Sequence, residues 1–202
     1  MPEEYDEREQ QLFQGARRVL SDIWKNRLTA IQSDYEANFA QYDRDIIDQM
    51  ENLLQRWENT YSNPTGALKY VIISPLSSGV ITRSYELQIA LFSQDLYINE
   101  NPLCFYWTPE FIYKDVEKDM AVYRKTAAKE IIRLREDEVN EVRRRYVLCH
   151  AYICMFYMDK IIREIFETPI WKKVAADDVQ VLYGTYMEQM VELGTAQKED
   201  DA

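Results

Sequence analysis

An eleven-residue apolar repeat between residues 24 and 61 constrains the fold more than any other feature. Apolar side chains recur there in steps of four and three, and neither glycine nor proline interrupts them. Eleven residues over three turns is about 3.67 per turn, so the stripe stays on one side of a nearly straight helix. We therefore predict a long amphipathic N-terminal helix or helix pair, with a break near residues 25–33 left open. The stripe consists of Trp24, Leu28, Ile31, Tyr35, Phe39, Tyr42, Ile46, Met50, Leu53, Trp57 and Tyr61.

The pattern changes after Pro64 and Gly66, which form a strong helix stop. Between residues 67 and 107, β-branched and aromatic runs alternate with turn residues. This pattern predicts a small antiparallel sheet. Its expected strands are Leu68–Ser74, Ile81–Phe92, Leu96–Ile98 and Leu103–Trp107, with Ser77, Ser78 and Gly79 forming a turn.

Helical signals return at Thr108 and Pro109, which favour a helix start. A second apolar stripe follows and is interrupted by Glu138, so we predict a kink or break at residues 136–139. A shorter helix is expected over Asp177–Leu193. After the break, the residues predicted to face the core are Val142, Tyr146, Cys149, Ile153 and Phe156.

These elements predict an α+β fold that is mainly helical. We expect one domain over residues 1–196, with the sheet at 67–107 as an insertion, long helices packed as a bundle, and an acidic disordered tail at 197–202. The alternative is a pair of long antiparallel helices with the sheet at one end. The bundle is favoured because residues 151–158 are apolar all round and need cover on several sides.

Charge and composition exclude some classes of partner. The formal net charge of −11 argues against general binding to nucleic acid or anionic lipid. The most apolar stretch is too short for a membrane span, which needs roughly 20 residues. Three cysteines, an odd count, and the absence of a signal-peptide pattern predict a cytoplasmic protein.

Catalytic motifs are scarce in this sequence. The single histidine, His150, lies four residues before Cys154, so the two could share a helix face and touch one metal ion. A zinc site needs at least three protein ligands, and a core position for both residues is the favoured interpretation. We assign no catalytic residue, cofactor or metal, and enzyme activity is the minority interpretation.

The aromatic content favours an interaction protein. Fifteen tyrosines and four tryptophans are many for 202 residues, and amphipathic aromatic side chains often anchor interfaces. Our leading hypothesis is a non-enzymatic protein–protein interaction module, such as an adaptor, inhibitor or assembly subunit. Its partner is another protein or a second copy in a homodimer. The candidate partner-binding residues are Trp57, Tyr61, Tyr106, Trp107 and Phe111.

Two other hypotheses stay open. In the first, the protein is a sensor or enzyme that binds a small molecule or nucleotide in a pocket between sheet and helices, with Arg143, Arg144 and Arg145 holding an anion and Tyr85 or Glu86 supplying polar groups. A solvated face paired with acidic helices is the simpler interpretation of these arginines. In the second and weaker hypothesis, the acidic chain imitates nucleic acid and occupies a basic partner.

Overall fold

A computed structural model of the chain describes residues 7–61, 67–93, 102–185 and 190–194. As predicted, the fold is α+β and mainly helical, with a single five-stranded sheet in the described ranges. The elements in chain order are α1 (Glu7–Thr60), β1 (Leu68–Pro75), α2 (Ser77–Thr82), β2 (Leu87–Phe92), β3 (Leu103–Trp107), α3 (Glu110–Tyr113), α4 (Val116–Glu130), α5 (Glu136–Phe166), α6 (Pro169–Val174), β4 (Ala175–Gly184) and β5 (Met190–Leu193).

Helix α1 runs without interruption for 54 residues, about 80 Å at 1.5 Å per residue. Its C-terminal third carries the most deeply buried part of the stripe, including Met50, Leu53 and Trp57. Two residues predicted to face the core, Leu28 and Phe39, are instead exposed. In that middle section α1 packs largely through buried or half-buried polar groups, so an apolar stripe is not needed at every turn.

Ion pairs show how α1 packs against the later helices. Arg18 pairs with Glu130 at the end of α4, whereas Arg27 pairs with Asp119 near its start. The two helices therefore run antiparallel. In the contacts between α1 and α5, the residue numbers increase in the same direction on both helices, so these helices run parallel. The contacts are Trp24 with Tyr146, Tyr35 with Tyr157, and Asp43 with Lys160.

The helix break in the second half lies at residues 131–135, just before the predicted position. Glu138, whose charge suggested the break, caps the new helix. Its carboxylate accepts a hydrogen bond from the backbone N–H of Arg135 at 2.8 Å and pairs with Arg8 of α1 at 2.5 Å. Arg8 holds the pKa of Glu138 down to about 2. The acid is therefore a buried anchor between α1 and α5.

The break also resets which side of α5 faces the core. Val142 and Tyr146 are buried as predicted, but Cys149 and Phe156 are exposed, and that part of the prediction is wrong. His150 and Cys154 occupy the inward positions instead. A shift of one residue rotates a helix position by about 100°, so a small error of phase exchanges core and surface.

The sheet has the strand order β3-β2-β1-β4-β5, and the prediction of a small antiparallel sheet confined to 67–107 is wrong. Strand β4 pairs with β1 in parallel, and β5 pairs with β4 antiparallel. The helix predicted over Asp177–Leu193 is therefore replaced by strands. Its β-branched and aromatic residues alternate, and Val181 and Tyr183 point into the core while aligning with Val71 and Ile73 of β1.

Residues 77–86 also differ from the prediction. The expected strand Ile81–Phe92 starts only at Leu87, because Ser77–Thr82 forms α2 and the next residues turn sharply. Arg83 and Tyr85 have φ angles of 63° and 50°, which no extended strand can accommodate. The predicted turn at 62–66, strand at 96–98 and tail at 197–202 lie outside the described residues.

The core lies between the helices and one face of the sheet. Leu87, Ile89 and Leu91 point from β2 into this core, as their alternation predicted. The opposite face carries a smaller cluster of Ile72 and Phe92 around Ala90. Among the described residues, no helix is long and apolar enough to cross a membrane.

Candidate functional site

A groove of about 680 Å³ lies between α2, α5 and the carboxyl ends of β1 and β4. Because β1 and β4 are parallel, their last residues, Pro75 and Gly184, meet at the same edge of the sheet. Helix α5 crosses this edge and supplies one wall, and α2 supplies the other. We call this cavity the apolar groove. Its apolar lining includes Ile81, Tyr113, Val147, Met155, Tyr183 and Val191.

Three tyrosines form the floor of the apolar groove. The Tyr183 hydroxyl donates a hydrogen bond to the backbone carbonyl of Ala151 at 2.9 Å. Tyr113 stacks on Tyr85, with ring centroids 5.3 Å apart and planes 12° apart. Burial raises the pKa of all three phenols, so they stay protonated at neutral pH. The floor is therefore uncharged.

The turn that leads into β2 is fixed by several contacts. Tyr85 adopts the left-handed region, which is costly for a bulky side chain and persists only when the surroundings enforce it. Its hydroxyl donates to Glu117, and Arg143 donates to the same carboxylate at 3.0 Å. A Cβ on Gly79 of α2 would lie 3.2 Å from the Tyr85 backbone nitrogen, so α2 sits directly against this turn. This wall of the groove is preformed.

The rim of the apolar groove exposes large apolar side chains. Ile81, Leu148, Tyr152 and Val191 are between 53% and 71% exposed. They come from α2, α5 and β5, so the patch is built from three separate parts of the chain. A contiguous patch of this kind is uncommon on a monomer unless it is an interaction site.

The residues predicted to bind a partner fall in two places. Trp57 is only 2% exposed and contacts Tyr61, with ring centroids 4.4 Å apart. Tyr106, Trp107 and Phe111 do come together, around a second cavity of about 860 Å³ between α1 and β3. Trp107 and Phe111 are buried, whereas Tyr106 is 54% exposed. Only Tyr106 of this group presents a large surface to a partner.

The three consecutive arginines serve different contacts. Arg143 is 3% exposed and donates to Glu117 and to the side-chain oxygen of Asn140. Arg144 and Arg145 are exposed, and both donate to Glu141, at 3.0 and 3.2 Å. Arg144 alone of the three lines the apolar groove. The predicted anion site is therefore not assembled as one cluster.

His150 lies inside the core and away from the groove lining. Its Nδ1 donates to the carbonyl of Tyr146 at 3.1 Å, and its Nε2 has no hydrogen-bond partner among the described residues. The rings of Trp24, Tyr113 and Tyr146 surround it. Burial lowers the pKa of His150 to about 4 and raises that of the Cys154 thiol to about 12. Within the described ranges, no group of three metal-ligating side chains occurs.

Sequence reasoning missed the exposed apolar residues of α5. Leu148 and Tyr152 lie four residues apart, outside the stripe that was expected to face the core. The signal that could have identified Tyr152 was the stretch 151–158, which is apolar all round; Leu148 lies just before it. A helix with apolar residues on every side and a core on only one must expose some of them. Ile81 and Val191 could not be placed without the fold.

The arrangement can bind an apolar group by burial. The floor is neutral and apolar, and the charged lining residues are Glu86 and Arg144. These two side chains can orient a ligand at the rim. The chain matches no protein-family model, no curated protein and no solved structure.

Proposed function

We propose that this protein is a non-catalytic protein–protein interaction module that seats a large apolar side chain of a partner protein in the apolar groove. Such modules include adaptors, inhibitors and assembly subunits. The observation that carries the proposal is the set of exposed apolar residues around the groove, Ile81, Leu148, Tyr152 and Val191. We propose the cytoplasm as its location, on the sequence grounds given above.

Burial of apolar surface is the favourable term in such an interaction. Covering one large apolar side chain contributes roughly 1.5–3 kcal/mol, and the four rim residues surround a cavity that a fifth, from the partner, can fill. Much of this gain is offset by the loss of rigid-body and side-chain freedom. The fixed turn at Tyr85 reduces that loss, because the wall beside it needs no rearrangement. Central anchors of this kind dominate many interfaces.

The test is site-specific photo-crosslinking in the cells that make the protein. A photo-reactive phenylalanine analogue replaces Ile81 at the groove rim. The matched control replaces Ile132, which is more exposed but lies at the α4–α5 turn. We expect a covalent adduct with a discrete protein from position 81 and none from position 132. Equal labelling at both positions, or none at 81, would contradict the proposal.

A second experiment separates binding from folding. Ile81→Asp puts a charge on a side chain that is 71% exposed, so the free energy of unfolding should change by less than about 0.5 kcal/mol. Partner affinity should fall at least about tenfold, because a carboxylate would be buried against an apolar anchor. An affinity equal to wild type would remove the groove from the interface.

A small apolar molecule is the second candidate occupant. A volume of about 680 Å³ lies within the usual range for ligand pockets, and the strained Tyr85 backbone is typical of functional sites. Native mass spectrometry of protein purified gently from its own cells distinguishes the two candidates. A retained small molecule that Ile81→Asp releases would favour this second function, and a bare chain would favour the first.

A further inference from the structure

We infer that a second copy of this chain docks antiparallel along the outward side of α5. The surface adjoins the apolar groove and shares Leu148 and Tyr152 with its rim, so a second copy on the stripe and a partner held at the groove would compete for these two side chains. It starts from seven residues of α5 that we call the outward stripe: Glu141, Arg145, Leu148, Tyr152, Phe156, Asp159 and Arg163.

The outward stripe lies on one side of the helix. At about 100° per residue its seven positions fall within roughly 80° of arc, opposite His150 and Cys154 in the core. Its centre is apolar, and Leu148, Tyr152 and Phe156 are 56% to 70% exposed. The apolar groove adjoins it, because Leu148 and Tyr152 line the cavity together with Val147, Ala151 and Met155. At its ends, Arg145 also lies 3.6 Å from the ring centroid of Phe13, and Asp159 accepts a hydrogen bond from the Gly194 backbone N–H at 3.1 Å, so the uncovered part of the stripe is its apolar centre.

The spacing of the stripe is the same in both directions. Its steps are four, three, four, four, three and four, so a two-fold axis at Tyr152 places every position opposite another member of the set. In such an isologous contact, residue i meets residue j and residue j meets residue i. Leu148 then faces Phe156 of the second copy, and Tyr152 faces Tyr152. The apolar centres of the two copies therefore cover each other.

The charges at the two ends are complementary under the same axis. Glu141 lies opposite Arg163 of the second copy, and Arg145 lies opposite Asp159. Within one chain these residues already form two ion pairs, Arg145 with Glu141 at 3.2 Å and Arg163 with Asp159 at 3.0 Å. Docking would join them into a four-charge cluster at each end, with cluster centres about 27 Å apart along the helix. A parallel arrangement would place each charged residue opposite the same residue of the second copy, so like charges would meet.

This complementarity is the reason to favour a second copy over an unrelated helix. An arbitrary partner helix would have to supply a matching apolar centre and charges of opposite order at both ends. The chain supplies both from its own stripe. Two long helices that cross at about 20° can stay in contact over such a length.

Charge exchange tests both the partner and its direction. One variant carries Glu141→Arg with Arg145→Glu, and the other carries Asp159→Arg with Arg163→Asp. Each variant keeps its internal ion pair but puts like charges together at both ends of its own homodimer. Mixing the two variants restores opposite charges at both ends. The measurement is sedimentation velocity over a concentration series.

We expect the wild-type chain to sediment at twice its mass of 24.1 kDa. Each variant alone should self-associate about a hundredfold more weakly, and the equimolar mixture should recover a dimer. Phe156→Asp, at a 70% exposed position, should give a monomer that stays folded by circular dichroism. Ile81→Asp should leave the dimer intact, which separates this result from failure of the groove proposal.

Several results would overturn the inference. A wild-type chain that remains monomeric at about 100 µM would do so, because a dimer that weak is not a functional state. So would variants that dimerise as strongly as wild type, or a mixture that recovers nothing while both variants are folded. A photo-crosslinker at position 156 that captures a different protein, with no adduct between copies, would assign the stripe to that protein.

Discussion

Replacing His150 with phenylalanine should make the protein more resistant to acid. The imidazole is fully buried among the rings of Trp24, Tyr113 and Tyr146, and no group in the described part of the chain bonds its Nε2. A proton added to this ring would create a charge in the core. Phenylalanine keeps an aromatic ring at the position and cannot take up that proton.

The magnitude follows from the shift in the pKa. Burial lowers the pKa of His150 from 6.5 to about 4, and the field of Arg27 acts in the same direction, while the Tyr146 carbonyl and Asp119 oppose it. The unfolded chain therefore binds the proton first, so stability is lost as the pH falls from 6.5 to 4 and levels off below. A shift of this size corresponds to about 3 kcal/mol.

The assay is urea denaturation of wild type and His150→Phe at pH 7, 6, 5 and 4. A constant offset of up to about 2 kcal/mol is expected from the larger ring and does not affect the test. The difference between the two free energies of unfolding should change by about 3 kcal/mol from pH 7 to pH 4, in favour of the variant. Carboxylates that titrate below pH 5 act equally on both proteins. Parallel pH profiles would refute the reasoning.

Three further predictions rest on burial and ion pairs. Glu138→Gln should lower the free energy of unfolding by about 1–3 kcal/mol at pH 7, and the difference from wild type should shrink as the pH falls from 4.5 towards 2, the pKa of the folded carboxyl. Trp57→Ala should cost about 3–5 kcal/mol, whereas Tyr106→Ala should cost less than about 0.5 kcal/mol; equal losses in urea titrations would contradict the burial of the tryptophan. Arg143→Ala should cost about 1–3 kcal/mol because it removes a buried guanidinium that donates to Glu117 and Asn140, while Arg83 and Tyr85 still contact the Glu117 carboxylate; Arg144→Ala should leave the melting temperature within a few degrees of wild type.

The sequence predicted the parts of this fold that local patterns control. The α1 stripe, the strand alternation of β2 and the interruption near Glu138 all depend on residues close together in the chain. Strand β4 depends instead on β1, a partner strand about 100 residues away, and β5 in turn pairs with β4; Val181 becomes a core residue only because Val71 lies beside it. Local pattern carries little information about such long-range pairing.

The candidate site was predictable only in part. Tyr85 and Glu86 were named as polar groups of a pocket between sheet and helices, and both line the apolar groove; of the three arginines predicted to hold an anion there, only Arg144 does. The exposed apolar residues were not found, because the phase of α5 is set after the break rather than by the preceding stripe. Phe156 was expected in the core for that reason.

The parallel pairing of β1 with β4 also determines the order in which the protein can be built. Strand β1 lies at the centre of the sheet, yet one of its two neighbours is contributed by residues 175–184. During synthesis, the β1 edge stays unpaired until helices α3 to α6 have left the ribosome, and unpaired edges promote aggregation. The closure of a loop of about 100 residues must precede completion of the sheet, which slows folding. Nascent chains that stop before Gly184 should therefore depend on chaperones, whereas chains that include β4 and β5 should complete the sheet and fold without them.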